Sequence, residues 1–184
     1  LQALTRGVSR RAEIQRHLLP AMLAWFAEAP DPDAGLLAFR QVSDSLGATP
    51  WFLRKLRDEG VGAEQLARVL ASSRYVADLV VRAPATVAMF GDTADLRPRT
   101  HEQVRHEMEV AAARHPDAAE AVRTVRRIRR RELSRVAIAD VLGLVEPDEV
   151  GRALTSVTLS TLGATLAACS DEHRAQHGDL PTRL

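Results

Sequence analysis

The chain has 184 residues, 27% of them charged and 46% hydrophobic, with a formal net charge of only +1. That suits one globular domain or two small ones sharing a boundary and rules out a disordered tail or a membrane span, the longest apolar runs being short, interrupted by Arg or Asp, and far below the roughly 20 residues a membrane helix needs. Lys55 is the only lysine among 25 basic residues and aromatics make up only 4%, so the basic set is almost entirely arginine, and the Ala- and Leu-rich remainder favours helix over sheet.

The opening Leu1-Gln2-Ala3-Leu4-Thr5-Arg6 has neither a basic n-region nor an apolar h-region. It reads as the middle of a helix, so the expectation is a piece of a longer polypeptide. Cys169 is the only cysteine, which leaves no intrachain disulfide or thiolate metal cluster and fits a reducing cytoplasm.

Ser9 is placed to cap a helix from Arg10 to about Ala27, with Ile14, Leu18, Met22 and Trp25 at helical spacing and Pro20 expected to kink or split it. Pro30-Asp31-Pro32-Asp33 makes a turn, and Asp33 is read as the cap of a second helix carrying Leu36, Leu37, Phe39, Val42 and Leu46 up to Gly47. Thr49-Pro50 starts a third, to about Glu59, with Trp51, Phe52 and Leu56. A fourth runs from about Ala63 to Ala71 with Leu66, Val69 and Leu70 inward. Ser72 or Ser73 caps a fifth, with Tyr75, Val76, Leu79 and Val80 inward before Pro84.

A short turn of helix ends at Phe90-Gly91, and residues 92–99 lack periodicity, so a boundary is placed there between segments 1–91 and 100–184. Thr100 with Gln103 forms a capping-box pattern opening a helix to about Arg114. His115-Pro116-Asp117 breaks it, and the longest pattern runs from Asp117 to about Leu142, ended by Gly143. Pro147 starts a last long helix through Leu154, Val157, Leu162 and Leu166. With no alternation of period two, the expected fold is an all-α multi-helix bundle with no sheet.

Candidate chemistry is sparse. Of the six histidines, only His173 and His177 stand four apart as a helix-borne metal pair would. They sit in a polar stretch without a third ligand and read as a solvated helix end. Asp31 and Asp33 form an Asp-x-Asp, but in a proline turn, which favours turn and capping roles. Ser9, Ser72 and Ser73 lack a partnered His and Asp and read as helix caps.

The sharpest local feature is Arg126-Arg127-Ile128-Arg129-Arg130-Arg131-Glu132. At about 100° per residue the arginines do not form one stripe. Arg127, Arg130, Arg131 and Ser134 are expected to turn outward and offer a partner or phosphate surface. Arg129 and Glu132 fall on the side of Val122, Val125, Val136 and Ala139, with Asp140 near it. Unpaired charges there would be costly, so an ionic network of Arg129, Glu132 and Asp140 with neighbouring helices is expected to brace the bundle. Nucleic-acid binding is disfavoured, since a near-neutral chain with few aromatics lacks its electrostatic footprint.

Thr5-Arg6-Gly7-Val8-Ser9-Arg10-Arg11-Ala12, Leu18-Leu19-Pro20, Pro30-Asp31-Pro32-Asp33 and Ser72-Ser73-Arg74-Tyr75-Val76-Ala77-Asp78-Leu79 resemble, in order and spacing, the middle of the bifunctional glutamine synthetase adenylyltransferase family. The stretch from Arg127 to Ala137 is similar to that family's Arg-rich helix, and the likeness is greatest to actinobacterial members.

The resemblance implies a large enzyme with two nucleotidyltransferase heads joined by helical segments. One head transfers AMP from ATP to a tyrosine of glutamine synthetase, the other removes it by phosphorolysis, and each carries a Gly-Ser turn followed by an Asp-x-Asp pair for Mg²⁺. This chain has no Gly-Ser dipeptide, and its sole Asp-x-Asp is the proline turn. The implication is an inactive fragment without catalytic, cofactor-binding or metal residues of its own. Segment 1–91 would end the first half and form the central regulatory region, and 100–184 would lead into the adenylylating half. The resemblance further implies glutamine synthetase as the parent's substrate, the PII signal protein and glutamine as effectors, a cytoplasmic location, and neither membrane nor nucleic acid as partner. The rival reading is a free-standing helical interaction module.

Overall fold

The computed structural model describes residues 10–178 except 48 and 59, with side chains placed from residue 18 onward. The Ser9 cap, the side chains of Ile14 and His17 and residues 5–9 of the first quoted motif lie outside the described residues. Every regular element among the described residues is helical: α1 (Arg10–Ala27), α2 (Pro32–Leu46), α3 (Pro50–Asp58), α4 (Gly60–Ser72), α5 (Arg74–Arg82), a 3₁₀ turn (Pro84–Met89), α6 (Thr93–Leu96), α7 (His101–Ala112), α8 (Ala118–Val141) and α9 (Pro147–His177). The all-α expectation holds.

Local chemistry explains most helix ends. Thr100 and Gln103 form the expected reciprocal box: Thr100 Oγ1 accepts from Gln103 N at 3.3 Å and Gln103 Oε1 accepts from Thr100 N at 3.1 Å. Ser73, not Ser72, caps α5 by accepting from Val76 N. Gly143 follows α8 at φ +67°, a left-handed conformation glycine adopts without steric cost. The cap of α2 is Asp31 rather than Asp33: its carboxylate accepts from Ala34 N at 3.1 Å. Pro32 takes the first helical position, where its missing N–H costs nothing, and this moves the cap one residue earlier than Asp33 would require.

Other expectations give way to packing. α1 runs through Pro20 as one helix, anchored beyond the proline by the buried Met22 and Phe26. α4 begins at Gly60 instead of Ala63. Residues 92–99 are not structureless: Asp92 caps α6 through Ala94 N at 2.8 Å, and Leu96 is fully buried. Tyr75, expected inside, is exposed, and Leu37 of α2 is exposed as well. So are Leu154, Leu162 and Leu166 of α9, whose buried line is Ala153, Val157, Ser160 and Ala164. Small side chains let another helix approach closely, so the core uses the small face of α9 and leaves the leucines outside. α9 is also long and apolar enough, by length and composition alone, to cross a membrane. The expected interruption of apolar runs by Arg or Asp does not hold here, because residues 153–170 carry neither and only hydroxyl and small residues separate the leucines.

The described residues divide into two compact units, one within Leu1–Arg97 with Ala137–Val145 and one within Pro98–Val136 with Glu146–Leu184. The first unit packs Met22, Phe26, Phe39, Val42, Phe52, Leu56, Leu66, Leu70, Val80, Leu96 and Ile138 into one core, with the Phe26 and Phe39 rings tilted at 6.5 Å between centroids. In the second, Val104, Met108 and Ala112 of α7 meet Ala121, Val125 and Ile128 of α8 and Val157 and Ala164 of α9. His101 Nδ1 lies 3.1 Å from Ser156 Oγ at one end of the α7–α9 seam.

Candidate functional site

The second unit contains a charged group at the level of its core. Glu132 of α8 is 1% exposed. Arg131 donates to its Oε1 from Nε at 2.9 Å and from Nη2 at 2.7 Å, and Arg135 donates from Nε to Oε2 at 3.1 Å. Arg99, in the segment before α7, places Nη1 3.5 Å from Glu132 Oε1. A second carboxylate, Glu107 of α7, closes the group: Arg131 Nη2 donates to its Oε2 at 2.6 Å, and Arg99 bonds the same oxygen. Arg99 also donates to the Gln103 carbonyl at 3.3 Å, tying the network to the residue that caps α7.

Arg129 and Asp140, expected in this network, lie exposed and take no part in it. The reason is helix phase. The buried line of α8 in this unit is Ala121, Val125, Ile128, Glu132 and Val136, and at about 100° per residue Arg129 sits about 60° off its centre. Reading the stripe from Val122, which is only half buried, rotates the expected face toward Arg129 and Asp140. Arg127 and Arg130 are exposed as expected, but Arg131 is half buried inside the network and Ser134 is fully buried, donating to the Arg130 carbonyl at 2.9 Å. Arg99, Glu107 and Arg135 are the members that sequence spacing missed. Of these only Arg135, three residues after Glu132 on the same helix, carried a local signal.

The electrostatics are those of mutual neutralisation. Burial pushes the Glu107 carboxyl up, but the hydrogen bonds and charges of Arg131 and Arg99 outweigh it and hold the group below the usual glutamate range. Burial likewise lowers Arg131, and its bonds to Glu107 and Glu132 more than restore it. Because Glu107 titrates lower folded than unfolded (about 4.3), its ionised form stabilises the fold at every pH above the unfolded value. That contribution is lost as pH falls through the lowered folded value. Acid unfolding is therefore expected to show a steeper loss of stability below about pH 4 in the native chain than in Glu107→Gln. Superimposable acid limbs would exclude the coupling.

Elsewhere, the His173 and His177 rings stand 4.7 Å apart between centroids at the end of α9. Among the described residues no three His, Cys, Asp or Glu side chains are placed together to hold a metal ion. The Asp31-x-Asp33 pair does not fit a magnesium–triphosphate site, because Asp31 is engaged in capping α2 and Asp33 lies in its first turn.

Fold and site together define an all-helical protein with a buried arginine–glutamate network inside its second unit. The chain belongs to the glutamate-ammonia ligase adenylyltransferase family, whose family model matches residues 63–183. The bifunctional glutamine synthetase adenylyltransferase/adenylyl-removing enzyme of Cutibacterium acnes is 50% identical over 172 residues, covering 94% of this chain and 17% of that protein. The protein of the same description from Streptomyces coelicolor is 50% identical over 200 residues, 100% of this chain and 20% of its own length. That of Mycobacterium leprae is 43% identical over 171 residues, 91% and 17%. The chain thus spans about a fifth of the length of the curated relatives it matches. No solved structure matches it.

Proposed function

We propose that this chain is a non-catalytic central segment of an enzyme that adenylylates glutamine synthetase and removes the adenylyl group again. Segment 1–91 ends the first half and forms the regulatory region, and 100–184 leads into the adenylylating half. The observation that supports this is the combination of similarity over the whole of this chain with missing machinery: the Streptomyces coelicolor relative matches 100% of this chain within 20% of its own length, while the chain has no Gly-Ser dipeptide and its one Asp-x-Asp serves a helix cap.

In this reading ATP and Mg²⁺ are used by the flanking heads, and the PII signal protein and glutamine act as effectors in a cytoplasmic protein that binds neither nucleic acid nor membrane. The Glu132 network braces the long helix α8 in the segment that leads to the second head, and Arg127 and Arg130 present a basic face to a neighbouring domain or protein. Transmission between heads would further require a helix packing with two stable arrangements.

The test uses the full-length polypeptide and the 184-residue chain side by side with glutamine synthetase, ATP and Mg²⁺. AMP transfer and phosphorolytic removal are expected from the former only. Activity in the 184 residues alone would overturn the reading, as would a gene with no Gly-Ser…Asp-x-Asp signature on either side of the encoded segment.

A further inference from the structure

α9 has two apolar faces and uses one. Its small residues Ala153, Val157, Ser160 and Ala164 are buried, whereas Leu159, Leu162 and Leu166 are 56%, 62% and 53% exposed. Three of the four exposed leucines of α9, all but Leu154, share one line. Thr155, Leu159, Leu162, Leu166 and Cys169 follow one another at spacings of four, three, four and three, the heptad seam along which one helix receives another. Gly163 lies between the leucines, exposed, and a Cβ built on it would meet nothing within 4 Å. Glycine inside a helix costs stability relative to alanine, and nothing in the present packing requires it beside the leucines.

We infer that the Leu159–Leu162–Leu166 seam is a docking site for an amphipathic helix of the same polypeptide, from outside these 184 residues. This rests on the reading above that the chain is one part of a longer enzyme; the relatives it matches are about five times its length. The occupant is a helix, because a heptad line is too narrow for a bilayer surface, which selects a wide apolar face with a basic rim. Here no basic residue lies anywhere between Thr155 and Ser170. The occupant is tethered, because two heptads are too short to hold separate chains together, while a covalent link raises the effective concentration enough for a short seam to close.

Cys169, exposed at the end of the seam, is a native probe. Pulse labelling with a maleimide, read by peptide mass spectrometry, is expected to be at least tenfold slower at Cys169 in the full-length polypeptide than in the 184-residue chain. Leu162→Arg should restore fast labelling in the full-length polypeptide and leave the melting of the 184-residue chain unchanged. Equal rates in the two native proteins would overturn the inference. So would protection already present in the 184-residue chain that disappears on dilution, which marks a second copy, or protection that arises only with anionic phosphatidylserine vesicles, which marks a lipid surface. A full-length polypeptide that adenylylates glutamine synthetase yet leaves Cys169 fully reactive removes the seam and leaves the functional reading standing.

Discussion

Replacing Glu132 by Gln is expected to destabilise the second unit by about 3 kcal/mol, a cost typical of removing one charge from a buried, hydrogen-bonded ion group. The amide keeps the shape of the side chain but cancels its charge and replaces one of the two acceptor oxygens by an NH2 donor, so either Arg131 or Arg135 faces a donor instead of an acceptor; Arg135 is only 11% exposed. Glu107 cannot substitute, because its Oε2 already serves both Arg131 and Arg99. The measurement is urea unfolding, read as a lower midpoint at unchanged slope. Arg129→Ala and Asp140→Ala are the controls. Both side chains are exposed and outside the network, so each is expected to shift stability by no more than about 0.5 kcal/mol. A Glu132→Gln change as mild as the controls would show that the network does not hold the unit. In the full-length polypeptide, unchanged melting together with unchanged adenylylation would remove its role as a brace.

Gly35→Ala should cost the first unit about 2 kcal/mol, although alanine is the better helix former by about 1 kcal/mol. Gly35 is buried where α2 meets α4, and a Cβ there would stand 2.7 Å from Ala71 Cβ, 3.0 Å from Ala71 Cα and 2.9 Å from Phe26 Cδ1. Two of the obstacles belong to a helix backbone and its Cβ, and the third to a fully buried ring, so none can swing aside. The helices must move apart, and the Phe26–Phe39 contact loosens with them. Gly151→Ala supplies the opposite sign in the same chain: nothing lies within 4 Å of its Cβ, so a gain of about 0.5–1 kcal/mol is expected. If both substitutions stabilise, α2 and α4 do not approach as closely as described.

The parts of the fold that could be read in advance share a cause. Thr100 with Gln103, Gly143, Pro147 and Ser73 act through contacts within four residues of themselves, so their chemistry is complete in the local sequence. The cap at Asp31 and the unsplit helix at Pro20 depend on more than the local signal. At Asp31 the proline at the first helical position shifts the cap, and at Pro20 the buried Met22 and Phe26 outweigh a local break.

The Arg-rich segment shows the other case. Its sequence announces buried charge, and Glu132 is buried. Which arginines answer it depends on Arg99 and Glu107, 33 and 25 positions away, and on the phase of α8 against its neighbours.

By itself, then, the sequence determined an all-helical chain, most of its helix ends and its family, because capping, breaking and motif order are written in short stretches of residues. The tertiary structure alone decided that α9 packs through Ala153, Val157, Ser160 and Ala164 and leaves its leucines exposed, and that Glu132 is met by Arg131, Arg135 and Arg99 instead of Arg129. Spacing along one helix defines its faces. Which face is buried, and which distant charge completes it, follows from the size and reach of side chains on the helices packed against it.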